Sequence, residues 1–218
     1  LSMETPMYEA DRNRIFRYDF TTNTKTELTA GFDYSAESVS WAKDGSALYF
    51  LSGINATEQL WTYDFITTDS LKRIRRITND MADITGFVHA GTGKKTVMVT
   101  AAMSISSPSE LFTVNITNGK RTPLTNINTD ALKNIKMGKV EKRMIKATDG
   151  KEILTWVILP PDFDPNKKYP ALLYCQGGPQ STVSQFFSYR WNFQLMAANG
   201  YVVVAPNRRG LPSFGTEW

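Results

Sequence analysis

A pattern recurs three times in the first 125 residues, and it restricts the fold more than any other feature of the chain. "IFRYDFTTNTKTELT" (15–29), "LWTYDFITTDSLKRIRRIT" (60–78) and "LFTVNITNGKRTPLT" (111–125) each join an alternating apolar strand, a polar turn and a second strand closing on Leu-Thr or Ile-Thr. The closing threonines, Thr29, Thr78 and Thr125, lie 49 and 47 residues apart. Between them, "VSWAKDGSALYFLS" and "HAGTGKKTVMVTA" place Gly45 and Gly93 one more period apart. Such a period, holding about four short strands with turns at Asp44-Gly45 and Asn118-Gly119, fits a blade of a β-propeller. A plain meander of hairpins is the competing architecture. Closure takes roughly four to eight blades, so three repeats are expected to be the end of a propeller that begins upstream.

After Asn126 the pattern changes, and "NTDALKNIKMGK" reads as a linker. "VEKRMIKATDGKEILTWVILPP" then makes two strands about Asp149-Gly150, a strong hairpin signal. The apolar "ALLYC" predicts a buried strand, "SQFFSYRWNFQLMAANG" an amphipathic helix stopped at Asn199-Gly200, and "YVVVAP" a strand covered on both faces. Strand, helix and strand make a βαβ unit of a parallel sheet. Two domains are expected: residues 1–138 as roughly three blades and 139–218 as the opening of an α/β sheet. Between "ALLYC" and the helix stands "QGGP". Two readings fit it: a strand terminator, or a turn stripped of side chains so that backbone N–H groups face a developing negative charge.

Composition removes several function classes. With 218 residues, 41% of them hydrophobic, the chain can bury a substantial core. The net charge of +4 is spread over 25 basic and 21 acidic residues, and the one basic cluster, "LKRIRR" (71–76), alternates with apolar residues as an edge strand does. Nucleic-acid binding is therefore not expected. Cys175 is the single cysteine, which rules out an internal disulfide and a cysteine-rich zinc site, and its apolar strand suggests a packing role. No stretch has the apolar length of a membrane helix, and "LSMETPMYEADRNR" lacks the apolar core of a signal peptide. "HAGTGKKT" lacks the spacing of a phosphate loop and reads as a blade turn. The sequons at Asn55 and Asn115 are given no role.

Three segments carry a family resemblance: the blade-like "VSWAKDGSALYFLS", "KATDGKEILTWVILPPDFDPNKKYPALLYCQGGP" and "ANGYVVVAPNRRGLPSFG". The chain resembles the prolyl oligopeptidase family of serine peptidases, in which a β-propeller covers an α/β-hydrolase domain; "CQGGPQS" and "YRWNFQLMAANGY" look most like its bacterial dipeptidyl-peptidase branch. The resemblance implies β-propeller blades followed by the N-terminal part of an α/β-hydrolase sheet. It also implies peptide substrates, no cofactor, no metal, no membrane span, a homo-oligomeric parent protein and a periplasmic or secreted location. In the family the turn after this strand helps build the oxyanion hole, through a tyrosine hydroxyl in some branches and a backbone N–H behind an H-G-G-P turn in others. Gln176 stands at that tyrosine or histidine position here, which favours the Gly177 N–H and leaves the Gln176 amide as a second donor or a support. Gly178 is implied to lie on the substrate side of the site, and Arg209 with Gly210 to shape the loop near it, Arg209 as a substrate contact or, the reading favoured, as a structural loop arginine.

The catalytic triad is a separate matter. A hydrolase of this fold needs a serine in G-x-S-x-G, then an acid, then a histidine, and no G-x-S-x-G occurs in these 218 residues. His89, the single histidine, lies among the repeats and precedes the hydrolase-like segment. The triad is expected beyond Trp218, and the 218 residues by themselves are expected to be inactive. The leading reading is a serine exopeptidase that releases dipeptides from peptide N-termini. The alternatives are an acylaminoacyl-peptidase or oligopeptidase of the same family, an esterase of the same fold, and a non-catalytic propeller module that binds a partner.

Overall fold

The computed structural model describes residues 1–8, 11–178 and 180–218. Three antiparallel sheets come first. Strands β1 (Phe16–Asp19) and β2 (Thr24–Glu27) form a two-stranded ribbon. Strands β3 (Glu37–Trp41), β4 (Ala47–Ile54), β5 (Thr57–Asp64) and β6 (Ile74–Arg76) form a four-stranded meander. A second meander follows with β7 (Asp83–Ala90), β8 (Val97–Ser104), β9 (Ser107–Val114) and β10 (Arg121–Pro123). The repeat thus folds as expected into four-strand units, the first repeat supplying its last two strands. Among the described residues no closed propeller forms.

The repeated side chains do the same work each time. The hydroxyl of Thr29 accepts the Ile15 N–H at 3.0 Å, that of Thr78 the Leu60 N–H at 2.9 Å, and that of Thr125 the Leu111 N–H at 2.9 Å. Each threonine extends a strand pair by one bond just where the backbone ladder ends. The Asp or Asn of each "YDF" or "VNI" closes the following turn: Asp19 accepts from Thr21 and Thr22, Asp64 from Ile66 and Thr67, and Asn115 from Thr117 and Asn118. These are Asx turns, available only to side chains of that length. The "LKRIRR" cluster supplies β6, the edge strand it was expected to be. His89 sits on β7, with its Nε2 2.9 Å from the Ser40 hydroxyl of the preceding meander.

A short helix α1 (Thr129–Leu132) leads to a mixed sheet made of β11 (Val140–Lys146), β12 (Glu152–Ile158), β13 (Ala171–Leu173) and, after helix α2 (Phe193–Ala198), β14 (Val202–Pro206). Its order is β11-β12-β14-β13, antiparallel except for the parallel pair β13 and β14. The β11–β12 hairpin turns at Asp149-Gly150, where Gly150 takes φ +84, a conformation that a side chain would strain. No helix among the described residues is long and apolar enough to cross a membrane.

Three expectations need correction. The helix spans Phe193–Ala198 alone, because Asn192 caps it by accepting the Leu195 N–H at 2.9 Å. Upstream, Ser184 bonds Asp83, Gln185 meets the Ile105 N–H, and Ser188 folds back on Arg190 and Trp191. Short polar side chains engaged in such contacts compete with helical bonding, and 184–192 stays a loop. The "ALLYC" strand is shorter than expected, Ala171–Leu173 alone, and it stands exposed at the sheet edge because no described strand pairs with its outer side. For the same reason Cys175 is exposed and does not pack.

One core joins the repeats to the mixed sheet. Trp156, Val183, Phe193 and Val203 pack with Ala56 and Ile105, which are the tips of the β4–β5 and β8–β9 hairpins. Asn55 and Ala56 make that first tip with φ of 50 and 58, the pair of positive values that a two-residue hairpin turn requires. Corresponding hairpins of two successive repeats therefore plug into the second sheet.

Candidate functional site

The glycine turn follows β13 at its C-terminal end, where open sheets of parallel strands place their ligand sites. Its entry is fixed by the Tyr174 N–H, which donates to the Val204 carbonyl at 2.8 Å. Gln176 is half-buried, and its Oε1 is enclosed with no hydrogen-bond partner among the described residues. Gly177 is exposed, with open space where a side chain would stand. Gly178 has φ +125, and a Cβ there would fall 2.5 Å from the Ser181 hydroxyl. Glycine is thus required at 178 by conformation and contact, and at 177 it leaves the backbone open to a ligand.

Beside the turn lies a cavity of about 440 Å³ lined by Leu172, Tyr174, Cys175, Gly177, Trp191 and Met196, among others. It is mostly apolar, with the Gly177 backbone at its rim, and its lining suits an uncharged group. Gln176, Gly177 and Gly178 therefore share one turn. Arg209 belongs to a different cluster: its guanidinium donates to Asp149 Oδ2 at 2.5 Å and to the carbonyls of Trp218 and Glu217, and it lies over the Trp218 ring at 4.6 Å. Those contacts tie the loop after β14 to the β11–β12 hairpin.

Sequence reasoning missed an acidic pair where the repeats meet the glycine loop. Asp83 on β7 accepts the Ser184 hydroxyl at 2.6 Å and the Glu58 N–H at 3.0 Å. Burial raises its pKa against these bonds. Glu58 on β5 is held protonated up to about 8, first by burial and then by the negative charges of Asp83 and Glu37. Nothing in "TEQLW" or "MADITGF" signals this, because each acid is unremarkable in its own strand and the pairing comes from packing between sheets.

A stability prediction follows. Glu58 ionises near its ordinary 4.5 in the unfolded chain and near 8 in the fold, so the folded state carries the extra proton between those values. Stability therefore falls as pH rises through that window, and Asp83 adds to it in the same direction. Glu58→Gln is expected to flatten most of the fall, leaving the variant more stable than wild type at pH 8.5 and close to it at pH 4.5. Denaturant midpoints across that range test this. Parallel profiles for the two proteins would reject it.

With that geometry established, the chain can be set beside known proteins. No family model matches it. It is 44% identical over 218 residues to dipeptidyl-peptidase 5 of Porphyromonas gingivalis, covering 100% of the chain and 31% of that protein. Over its whole length the chain is thus similar to a dipeptidyl-peptidase. Dipeptidyl-peptidase 5 of Porphyromonas endodontalis is also 44% identical, over 217 residues and 30% of its length. The chain thus spans less than a third of the length of these relatives. Among solved structures, acylaminoacyl peptidase of Pyrococcus horikoshii matches 97% of the chain and 31% of its own at a TM-score of 0.77 and 22% identity. Porphyromonas gingivalis dipeptidyl peptidase 4 matches 94% and 29%, with a TM-score of 0.68 and 21% identity. At such identities these two show a shared fold: several antiparallel sheets like the propeller region of these peptidases.

Proposed function

We propose that the whole protein is a serine peptidase that removes dipeptides from peptide N-termini, with residues 1–138 forming blades of its propeller and 139–218 opening its α/β-hydrolase domain. The observation that carries this reading is the path of the mixed sheet. Its third strand, β13, runs into a glycine turn and then into α2, and the loop at that place in an α/β-hydrolase supplies one N–H of the oxyanion hole. The relatives named dipeptidyl-peptidase 5 supply the substrate class.

In this reading a serine presented after the strand that follows β14, beyond residue 218, attacks the carbonyl of the second residue of the peptide. A histidine takes the serine proton and then returns it to the leaving amine, giving an acyl-enzyme and, after attack by water, a free dipeptide. The Gly177 N–H donates to the oxygen that becomes negative. The apolar cavity beside it receives a side chain of the released dipeptide, and the sheets of the repeats limit access to short peptides. Self-association and a periplasmic or secreted location belong to the same proposal.

The test uses the complete protein, a fluorophosphonate probe and two chromogenic substrates, a dipeptide with a free amine and a single N-acetylated amino acid. The expected result is one labelled serine, within G-x-S-x-G beyond residue 218, and release from the free-amine substrate alone. Release from the acetylated substrate alone would replace the dipeptidase by an acylaminoacyl-peptidase. Neither labelling nor turnover would reject the peptidase reading in favour of a binding module.

A further inference from the structure

The glycine turn lies in a stretch, 174–192, whose described residues have neither strand nor helix to satisfy their backbone. Its buried polar groups need partners, and finding them shows what holds the turn. The near end is the Tyr174 N–H on Val204, and the far end is Val183, whose side chain is fully buried in the core. The Val183 N–H donates to Asn207 Oδ1 at 2.9 Å. The Val183 carbonyl accepts from Asn207 Nδ2 at 3.1 Å and from Trp156 Nε1 at 2.8 Å.

Asn207 is itself fully buried, directly after β14. Its backbone N–H donates to the Leu154 carbonyl at 2.9 Å, and its Nδ2 reaches the same carbonyl at 3.3 Å. One carboxamide therefore offers an acceptor and a donor to one residue of the loop, as a neighbouring strand would. The neighbours fix which way it points, because one end faces an N–H and the other faces two carbonyls. Both of these anchors depend on β14 and the residue that follows it, the Thr182 hydroxyl adds a bond to the Pro212 carbonyl at 3.0 Å, and the turn at Gln176–Gly178 lies between them.

We propose that Asn207 is a positioning residue for the oxyanion turn, holding the Gly177 N–H in place through Val183 without touching substrate. The proposal rests on the peptidase reading above. An aspartate would keep the acceptor for Val183 but turn a carboxylate oxygen toward two carbonyls, so only the amide satisfies all the partners.

The experiment uses the complete protein with Asn207→Ala and, as a gentler variant, Trp156→Phe, which removes one bond to the Val183 carbonyl and keeps most of the ring. For Asn207→Ala, kcat should fall between about tenfold and a hundredfold, the scale of small misplacements, while KM stays within about threefold. Amide hydrogen exchange should quicken in 176–183 and stay unchanged in β4 and β5. Trp156→Phe should move both readouts the same way by less, and it carries the test if Asn207→Ala does not fold. Unchanged exchange in 176–183 would overturn the anchoring, and faster exchange with wild-type kcat would overturn the positioning role. A wild-type protein without turnover would remove the peptidase reading and the catalytic role with it, while the exchange arm would still decide the anchoring.

Discussion

Replacing Trp156 with alanine is expected to cost about 3–5 kcal/mol of folding stability, the range for deleting a buried aromatic side chain. Trp156 is fully buried on β12, between Leu154 and Ile158 of the same core and across from Ala205 of β14. Its removal leaves a cavity where the mixed sheet, the glycine loop and the two hairpin tips meet, so collapse of one element cannot fill it. The lost Nε1 bond also leaves the Val183 carbonyl with one donor in place of two. A denaturant midpoint shift at constant m is the measurement. Trp41 is the internal control: it is 50% exposed and stacked on Phe65 at 5.2 Å, so Trp41→Ala should cost about 1 kcal/mol or less. Equal losses for the two variants would mean that the core is not built as described.

Sequence alone does not separate these two tryptophans. Both sit in strands beside alternating apolar residues, and the difference is set by which face meets the hairpin tips. What was legible rested on local chemistry: Thr29, Thr78 and Thr125 with their Asx partners repeat because each closes its own turn, and the Asp149-Gly150 hairpin reads directly from a dipeptide. The lengths of the helix and of the β13 strand were misjudged for one shared reason. Apolar spacing over 184–200 and 171–175 records that residues are to be covered, and it does not say whether the cover is a helix stripe, a loop contact with another sheet or a strand pair. Ser184, Gln185 and Ser188 decide that question through contacts with Asp83, Ile105 and Trp191, two of which lie 101 and 80 residues away in sequence. At the candidate site, the glycines of "QGGP" were visible, whereas Asn207, Glu58 and Asp83 were not. The roles of Glu58 and Asp83 exist only after the repeats have docked on the loop of the second sheet, and that of Asn207 only once the loop and β12 have met the end of β14.

Gly177→Pro in the complete protein is expected to lower kcat by at least about 10²–10³, the loss that follows removal of one oxyanion donor. Proline deletes the N–H and leaves the carbonyl, and Gly177 has open space around it, so the ring meets no described atom within the reach of a Cβ. Gln176→Ala separates the two proposed donors of the turn. The Gln176 Oε1 is enclosed without a hydrogen-bond partner among the described residues, and an amide facing inward supports the turn more than it serves a ligand in the adjacent cavity. A change of a few-fold in kcat is therefore expected for Gln176→Ala. A fall of about 10²–10³ with KM unchanged would instead assign direct donation to the glutamine amide. The measurement is kcat and KM for both variants on one free-amine dipeptidyl substrate, with the thermal midpoint of each protein recorded beside them. If Gly177→Pro keeps kcat within threefold of wild type at an unchanged midpoint, the backbone N–H at 177 is not an oxyanion donor, and the glycines serve only to end β13.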